Sequence, residues 1–151
     1  MDNNETVTSA EIAQNIIRGI HQSYYGECTY EAIYIIKTFK LDFNLGSSVK
    51  YIKRAGKKTK NREIDLAKAY WYLREELNDP YQCVVDMQPE HISIMFEIGK
   101  DWGLSDNLSD AVGNILLSAV SSNPSSQTAL RYALKGLAAE LETMGITDSP
   151  F

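Results

Sequence analysis

The sequence is poor in the residues that build metal centres and extracellular scaffolds: two cysteines, two histidines and four prolines among 151 residues. Cys28 and Cys83 have no metal-ligand spacing, and two thiols make no disulfide framework, so free thiols in a reducing cytoplasm are expected. His21 and His91 have no ligand-type neighbours, and no protein-held metal is expected. No run of about 18 apolar residues exists, which excludes a membrane-spanning helix. The amino-terminal MDNNETVTSAEIAQNIIRGI is acidic and amphipathic, without the basic start, apolar block and cleavage site of a secretory leader. Neither a G-x-x-x-x-G-K-[ST] loop nor a G-x-G-x-x-G turn occurs. Glu75 and Glu76 are adjacent and point to different sides of a helix. The first half thus lacks the Glu-x-x-Glu spacing of helical pyrophosphohydrolases, which disfavours magnesium-dependent hydrolysis. No segment alternates at period two, so no sheet is expected, and nothing calls for a cofactor.

What is present is helical periodicity on a chain 44% hydrophobic, enough for a core. Ser9 can cap a first helix with an apolar face of Ile12, Ile16, Ile17 and Ile20. A second begins near Thr29 and buries Ala32, Ile33, Ile36 and Phe39. A third spans about 42–55, with Leu45, Val49 and Ile52 on one side and Gly56 at its end. The fourth, about 62–78, carries the stripe Leu66, Ala69, Tyr70, Leu73 and Leu77, and Asp79-Pro80 stops it. After a linker over 80–89, three more helices are expected at about 90–102, 106–121 and 127–143. The expected fold is all-α, with about seven helices.

Slid by 63 residues, the sequence meets itself. Phe39 falls on Trp102, Leu41 on Leu104, Leu45 on Leu108, Val49 on Val112 and Ile52 on Ile115. With one residue more, Leu66 falls on Leu130, Ala69 on Ala133, Leu73 on Leu137 and Glu76 on Glu140. Two divergent three-helix units around a shared core are expected: residues 1–80, an N-terminal helix plus the first unit, and residues 81–151, a linker plus the second. Unrelated amphipathic helices would share part of this pattern by chance.

Charge separates the halves. Residues 1–80 hold 12 basic and 11 acidic residues; residues 81–151 hold 3 and 9. Lys50 to Arg62 carries seven basic residues and no acid, where the second copy reads as neutral. That stretch suits phosphates, while the acidic remainder repels long nucleic acid. Lys50, Arg54 and Lys57 follow at spacings of four and three on one side of a helix, and Lys58 extends the charge. Converging cations bind phosphate oxygens; the alternative is a solvated basic face. Asp65, Lys68 and Tyr72 share a side of the fourth helix, either as a surface ion pair or as groups that orient a ligand while Tyr72 stacks on a base. His21, near Tyr24, is either a proton carrier or a packed side chain.

The ordered segments HQSYYG, YEAIYIIKTFKLDFNLGSSVKYIKRAGKK and EIDLAKAYWYLREEL carry a resemblance over about residues 21–78. The chain is similar there to a small family of proteins of unknown function common in tailed phages and prophages. That family has an early His with nearby Tyr, a Leu-Gly-Asn-x-x-Lys-Tyr-x-x-Arg helix, a Lys-rich link and an Asp-Leu-x-Lys-Ala-x-x-Tyr-Leu helix. One phage member is a nucleoside monophosphate kinase without a phosphate-loop motif. The resemblance implies a nucleotide pocket and marks His21, Tyr24, Glu31, Gly46, Lys50, Tyr51, Arg54, Lys57, Lys58, Asp65, Lys68 and Tyr72. The family's Gly-Asn is Gly46-Ser47 here.

Two function classes follow. One is binding, sequestering or phosphorylating a nucleotide or other phosphate-bearing small molecule. The other is a phage protein that blocks a host defence or replication enzyme through its acidic half. A homo-oligomer is expected from the apolar stripes, with no membrane contact.

Overall fold

The structure is a computed structural model that describes residues 7–20, 28–57, 60–80 and 84–147. The described residues form seven helices and no strand: α1 (Ser9–Ile20), α2 (Ala32–Thr38), α3 (Phe43–Arg54), α4 (Arg62–Asn78), α5 (Pro89–Asp101), α6 (Asp106–Ala119) and α7 (Ser125–Thr143). The architecture is all-α, and no helix is long and apolar enough to cross a membrane. α3 packs along α4 and α6 along α7; the two hairpins meet where α4 lies on α7 and α3 on α6. α2 packs on α3 and α5 on α6. Buried side chains from α2 to α7 form one apolar cluster, with Phe39, Leu66, Leu73, Ile98, Ile115 and Leu137 fully enclosed. Burial of each such side chain contributes about 1.5–3 kcal/mol.

The helices start at a fixed offset. Phe43 opens α3 and Asp106 opens α6; Arg62 opens α4 and Ser125 opens α7, each pair 63 apart. Asp42 caps α3 by accepting from the Leu45 N–H at 2.9 Å, and Ser105 caps α6 by accepting from the Leu108 N–H at 3.3 Å. α2 and α5 also end alike. The Leu41 N–H reaches the Ile36 carbonyl and the Leu104 N–H the Gly99 carbonyl, each at 2.9 Å. The left-handed residue between is Lys40 (φ 48°) in one case and Gly103 (φ 61°) in the other. The buried positions of α3 and α6, and of α4 and α7, correspond at the same offsets, but not always in chemistry. Ser48, Lys53 and Asp65 are buried where Ala111, Leu116 and Ala129 stand.

Three local expectations change. α2 begins at Ala32 rather than near Thr29, because Asp101 holds the Thr29 and Tyr30 N–H groups at 2.8 and 2.9 Å while Trp102 Nε1 donates to the Tyr30 carbonyl at 2.7 Å. These bonds keep the chain extended up to Glu31, and they shift the buried face: Ile35 and Phe39 are enclosed, Ile36 is half-buried and Ile33 is exposed. On α1, Ile12 and Ile16 lie open to solvent rather than on a core; the Ile17 and Ile20 side chains fall outside the described residues. His91, which has no partner legible in the sequence, is buried. Its Nδ1 accepts from the Gln88 N–H at 2.9 Å, so Nε2 carries the proton and donates to the Thr38 carbonyl at 3.0 Å, with Phe39 edge-on to the ring.

Candidate functional site

The marked residues of the first half separate into two groups on different flanks of α3. The first lies on the outer face of the α3–α4 hairpin. Ser48 fixes the register by donating its hydroxyl to the Ala69 carbonyl at 3.0 Å, deep between the helices. One turn on, Tyr51 of α3 stacks on Tyr72 of α4, with ring centres 5.9 Å apart and planes 11° from parallel. Two cations lie over the Tyr51 ring: the Arg54 guanidinium at 4.5 Å and the Lys68 ammonium at 5.4 Å. Asp65, in the first turns of α4, takes both Nε and Nη2 of Arg54 on a single oxygen, at 3.3 and 3.2 Å. Asp65 is buried, and its other oxygen, Oδ2, has no hydrogen-bond partner among the described residues. A buried carboxylate on an α4 position where α7 carries Ala129 costs stability that the helix packing itself does not require.

Around this centre the face is aromatic. Phe43 and Trp71, both exposed, meet Tyr72 edge-on at 5.7 and 5.1 Å. Neither was singled out by spacing, although Trp71-Tyr72 sits within the unusually aromatic AYWYL stretch of α4.

The second group lies where the chain entering α2 meets α3 and α5. Lys53 is only 1% exposed, with its ammonium 5.4 Å from the centre of the Trp102 ring and 4.0 Å from the Glu31 carboxylate. Cation–π attraction and the ion pair offset part of the desolvation cost of that charge. Lys57 follows one turn later. Lys57 is exposed as a residue, but partial desolvation of its amine by the surrounding chain, and then the Lys53 charge beside it, hold that amine below the usual lysine range, an effect that a charge interaction with Cys28 partly counters. Lys53 carried no signal as a site residue, because a lysine on a helix reads as solvent-facing. The available signal was the residue 63 positions on, the apolar Leu116.

The expected single cationic face is therefore divided. Arg54 turns to Asp65 and Tyr51, Lys57 lies with Lys53, and Lys50 is exposed. Tyr51, Arg54, Asp65, Lys68 and Tyr72 come together; Glu31 and Lys57 join through Lys53. His21, Tyr24 and Lys58 lie outside the described residues. Among the described residues, no three His, Cys, Asp or Glu side chains are grouped to hold a metal ion.

Residues 21–74 match the model of DUF3310, a family described as a protein of unknown function. The match takes in the first group and, of the second, Glu31, Lys53 and Lys57 but not Trp102; it ends inside α4, leaving the second half uncovered. No curated protein and no solved structure matches the chain.

Proposed function

We propose that the outer face of the α3–α4 hairpin binds a nucleotide, or another phosphate-bearing ligand with a flat ring. The observation that carries this reading is the Tyr51–Tyr72 stack with Arg54 and Lys68 over it. Stacking of a base on an exposed aromatic contributes about 1–3 kcal/mol. The cations beside the rings supply phosphate contacts, and Asp65 holds Arg54 in place before a ligand arrives, which lowers the ordering cost of binding. A base would lie against Tyr72 and Trp71, with its phosphate toward Lys68 and Lys50. The resemblance to a phage family with a nucleoside monophosphate kinase among its members supports the same ligand class. The chain's own residues supply a binding face rather than a recognisable phosphate-transfer motif.

Calorimetry of the full chain with purine and pyrimidine nucleoside monophosphates, at low salt, tests the reading. Saturable binding with a Kd between about 1 µM and 1 mM is expected. The absence of binding at millimolar ligand for every mononucleotide would overturn it. A second reading, an inhibitor that occupies a host defence or replication enzyme, rests on the acidic second half and on Phe96, exposed on α5. Loss of inhibition on charge reversal at Asp106 would favour it.

A further inference from the structure

The second half carries an apolar feature that the hairpin site does not use. Phe96 stands on the outer side of α5 and is 86% exposed, the most open large apolar residue among the described ones. Its ring borders a wide-open groove of about 400 Å³ between α5 and α6, lined also by Met95, Gly99, Ser109, Gly113 and Leu117. Two glycines shape it. A Cβ on Gly99 would come within 2.4 Å of Ser109 Oγ, so the helices approach closely at that point, whereas a Cβ on Gly113 would meet nothing within 4 Å. The groove is open above Gly113, and an apolar ring projects at its edge. Exposed Lys100 lies one turn beyond Phe96 on α5, and exposed Asp110 lies on the α6 rim one turn before Gly113 and Asn114.

We propose that this face docks a second copy of the chain about a two-fold axis, with each Phe96 entering the partner's groove. Knob, hollow and both signs of charge lie on one patch. A two-fold operation converts that arrangement into two equivalent contacts, since any residue pair formed once is formed twice. Lys100 of each copy then meets Asp110 of the other, which offsets the repulsion expected between two acidic halves. A nucleic acid would be repelled by the net charge of residues 81–151 and gains nothing from an apolar hollow. An unrelated protein would need its own ring and hollow at matching separation, which the second copy has by construction. Phe96 is placed as a central aromatic anchor of the kind that dominates interface energetics.

Sedimentation velocity of the full chain, from about 1 µM to 1 mM, reads the outcome directly. A species of twice the 17.0 kDa chain mass is expected. Phe96→Asp and Gly113→Leu should each weaken dimerisation by more than about tenfold, equivalent to 1.4 kcal/mol. Gly113→Leu fills the hollow from open space, and circular dichroism should show its helicity unchanged. Lys100→Asp and Asp110→Lys should each weaken the dimer, and the double exchange should restore it. A monomer at every concentration overturns the proposal, as does a dimer indifferent to both Phe96→Asp and Gly113→Leu. A monomer that captures a different protein through Phe96 also overturns it, in favour of a heterologous partner.

Discussion

Arg62, the first residue of α4, reaches across the helix interface to Glu140 of α7 and bonds its Oε1 at 2.6 Å. The carboxylate's other oxygen accepts from Ser105 Oγ at 2.8 Å and Asn107 Nδ2 at 3.3 Å. The network therefore ties the start of α4 to the open end of the second hairpin, where α6 begins and α7 ends. Burial alone would raise the Glu140 carboxyl, but the bonds from Arg62, Ser105 and Asn107 outweigh it and hold it below its ordinary value. An unfolded chain then takes up the proton first as pH falls. The stabilisation is complete above the unfolded value of about 4.5 and disappears as pH drops through the depressed folded value. Thermal melts from about pH 6 to pH 2 should show this loss in the native chain and a flatter profile in Glu140→Gln. Arg62→Ala leaves the buried carboxylate with neutral donors alone and should cost about 1–3 kcal/mol at neutral pH.

Lys53 invites the opposite expectation. The position that corresponds to it on α6 is Leu116, equally buried, so this packing geometry accepts an aliphatic side chain. Replacing a buried ionic group by a hydrophobe of similar volume is often neutral or stabilising by about 1–4 kcal/mol. Lys53→Met should accordingly hold or raise the midpoint of urea unfolding, because the Glu31 carboxylate is partly exposed and stays hydrated. A loss of more than about 2 kcal/mol would mean that the interactions of the Lys53 ammonium, the Glu31 pair and the Trp102 contact among them, exceed the desolvation cost.

How far the sequence could be read depended on where each determinant lies. α3 and α4 were legible because Leu45, Val49, Ile52, Leu66, Ala69 and Leu73 repeat at helical spacing and all are buried. The face of α2 was not, because Ile33, Ile35 and Ile36 are all apolar within a seven-residue helix, and the choice among them is made by Asp101 on α5. The partner of His91 is Thr38, 53 residues away, a relation no local pattern carries. At the site, spacing placed Lys50, Arg54 and Lys57 on one side of the helix, but a helix side is broad. Asp65 draws Arg54 to one edge of it, and Lys57 falls at the other, beside Lys53.

The lowered proton affinity of Lys57 has a chemical readout. More of its amine is neutral, and hence nucleophilic, at a given pH than that of an ordinary lysine. With an amine-acylating ester near pH 8, mass spectrometry should find Lys57 modified ahead of Lys50, although both side chains are exposed, and Lys53 modified last because it is sealed from solvent. Lys53→Met removes the second cause of the shift. It should slow Lys57 acylation without abolishing its lead, since desolvation is the larger cause. Equal rates for Lys50 and Lys57 would mean that the Lys57 amine is not shifted at all, and an unchanged Lys57 rate in Lys53→Met would remove the electrostatic link between Lys53 and Lys57.

The nucleotide reading makes unequal demands on the residues of the hairpin face. Tyr51 backs the Tyr72 ring on which the base lies and seats two cations, so Tyr51→Ala should weaken mononucleotide binding most, by about tenfold or more. Lys68→Ala removes charge alone and should weaken a nucleoside monophosphate several-fold while leaving the corresponding nucleoside nearly unaffected. Asp65→Ala places on α4 the residue that α7 carries at the corresponding position, so the helix packing should survive. It also releases Arg54 from its fixed place over the ring. Affinity for the monophosphate should therefore fall several-fold, and a rise would mean that Asp65 only neutralises Arg54 and does not pre-organise it. Titration of these three variants against a nucleoside and its monophosphate separates stacking, charge and pre-organisation, and equal binding by Tyr51→Ala and the native chain would move the ligand off this face altogether.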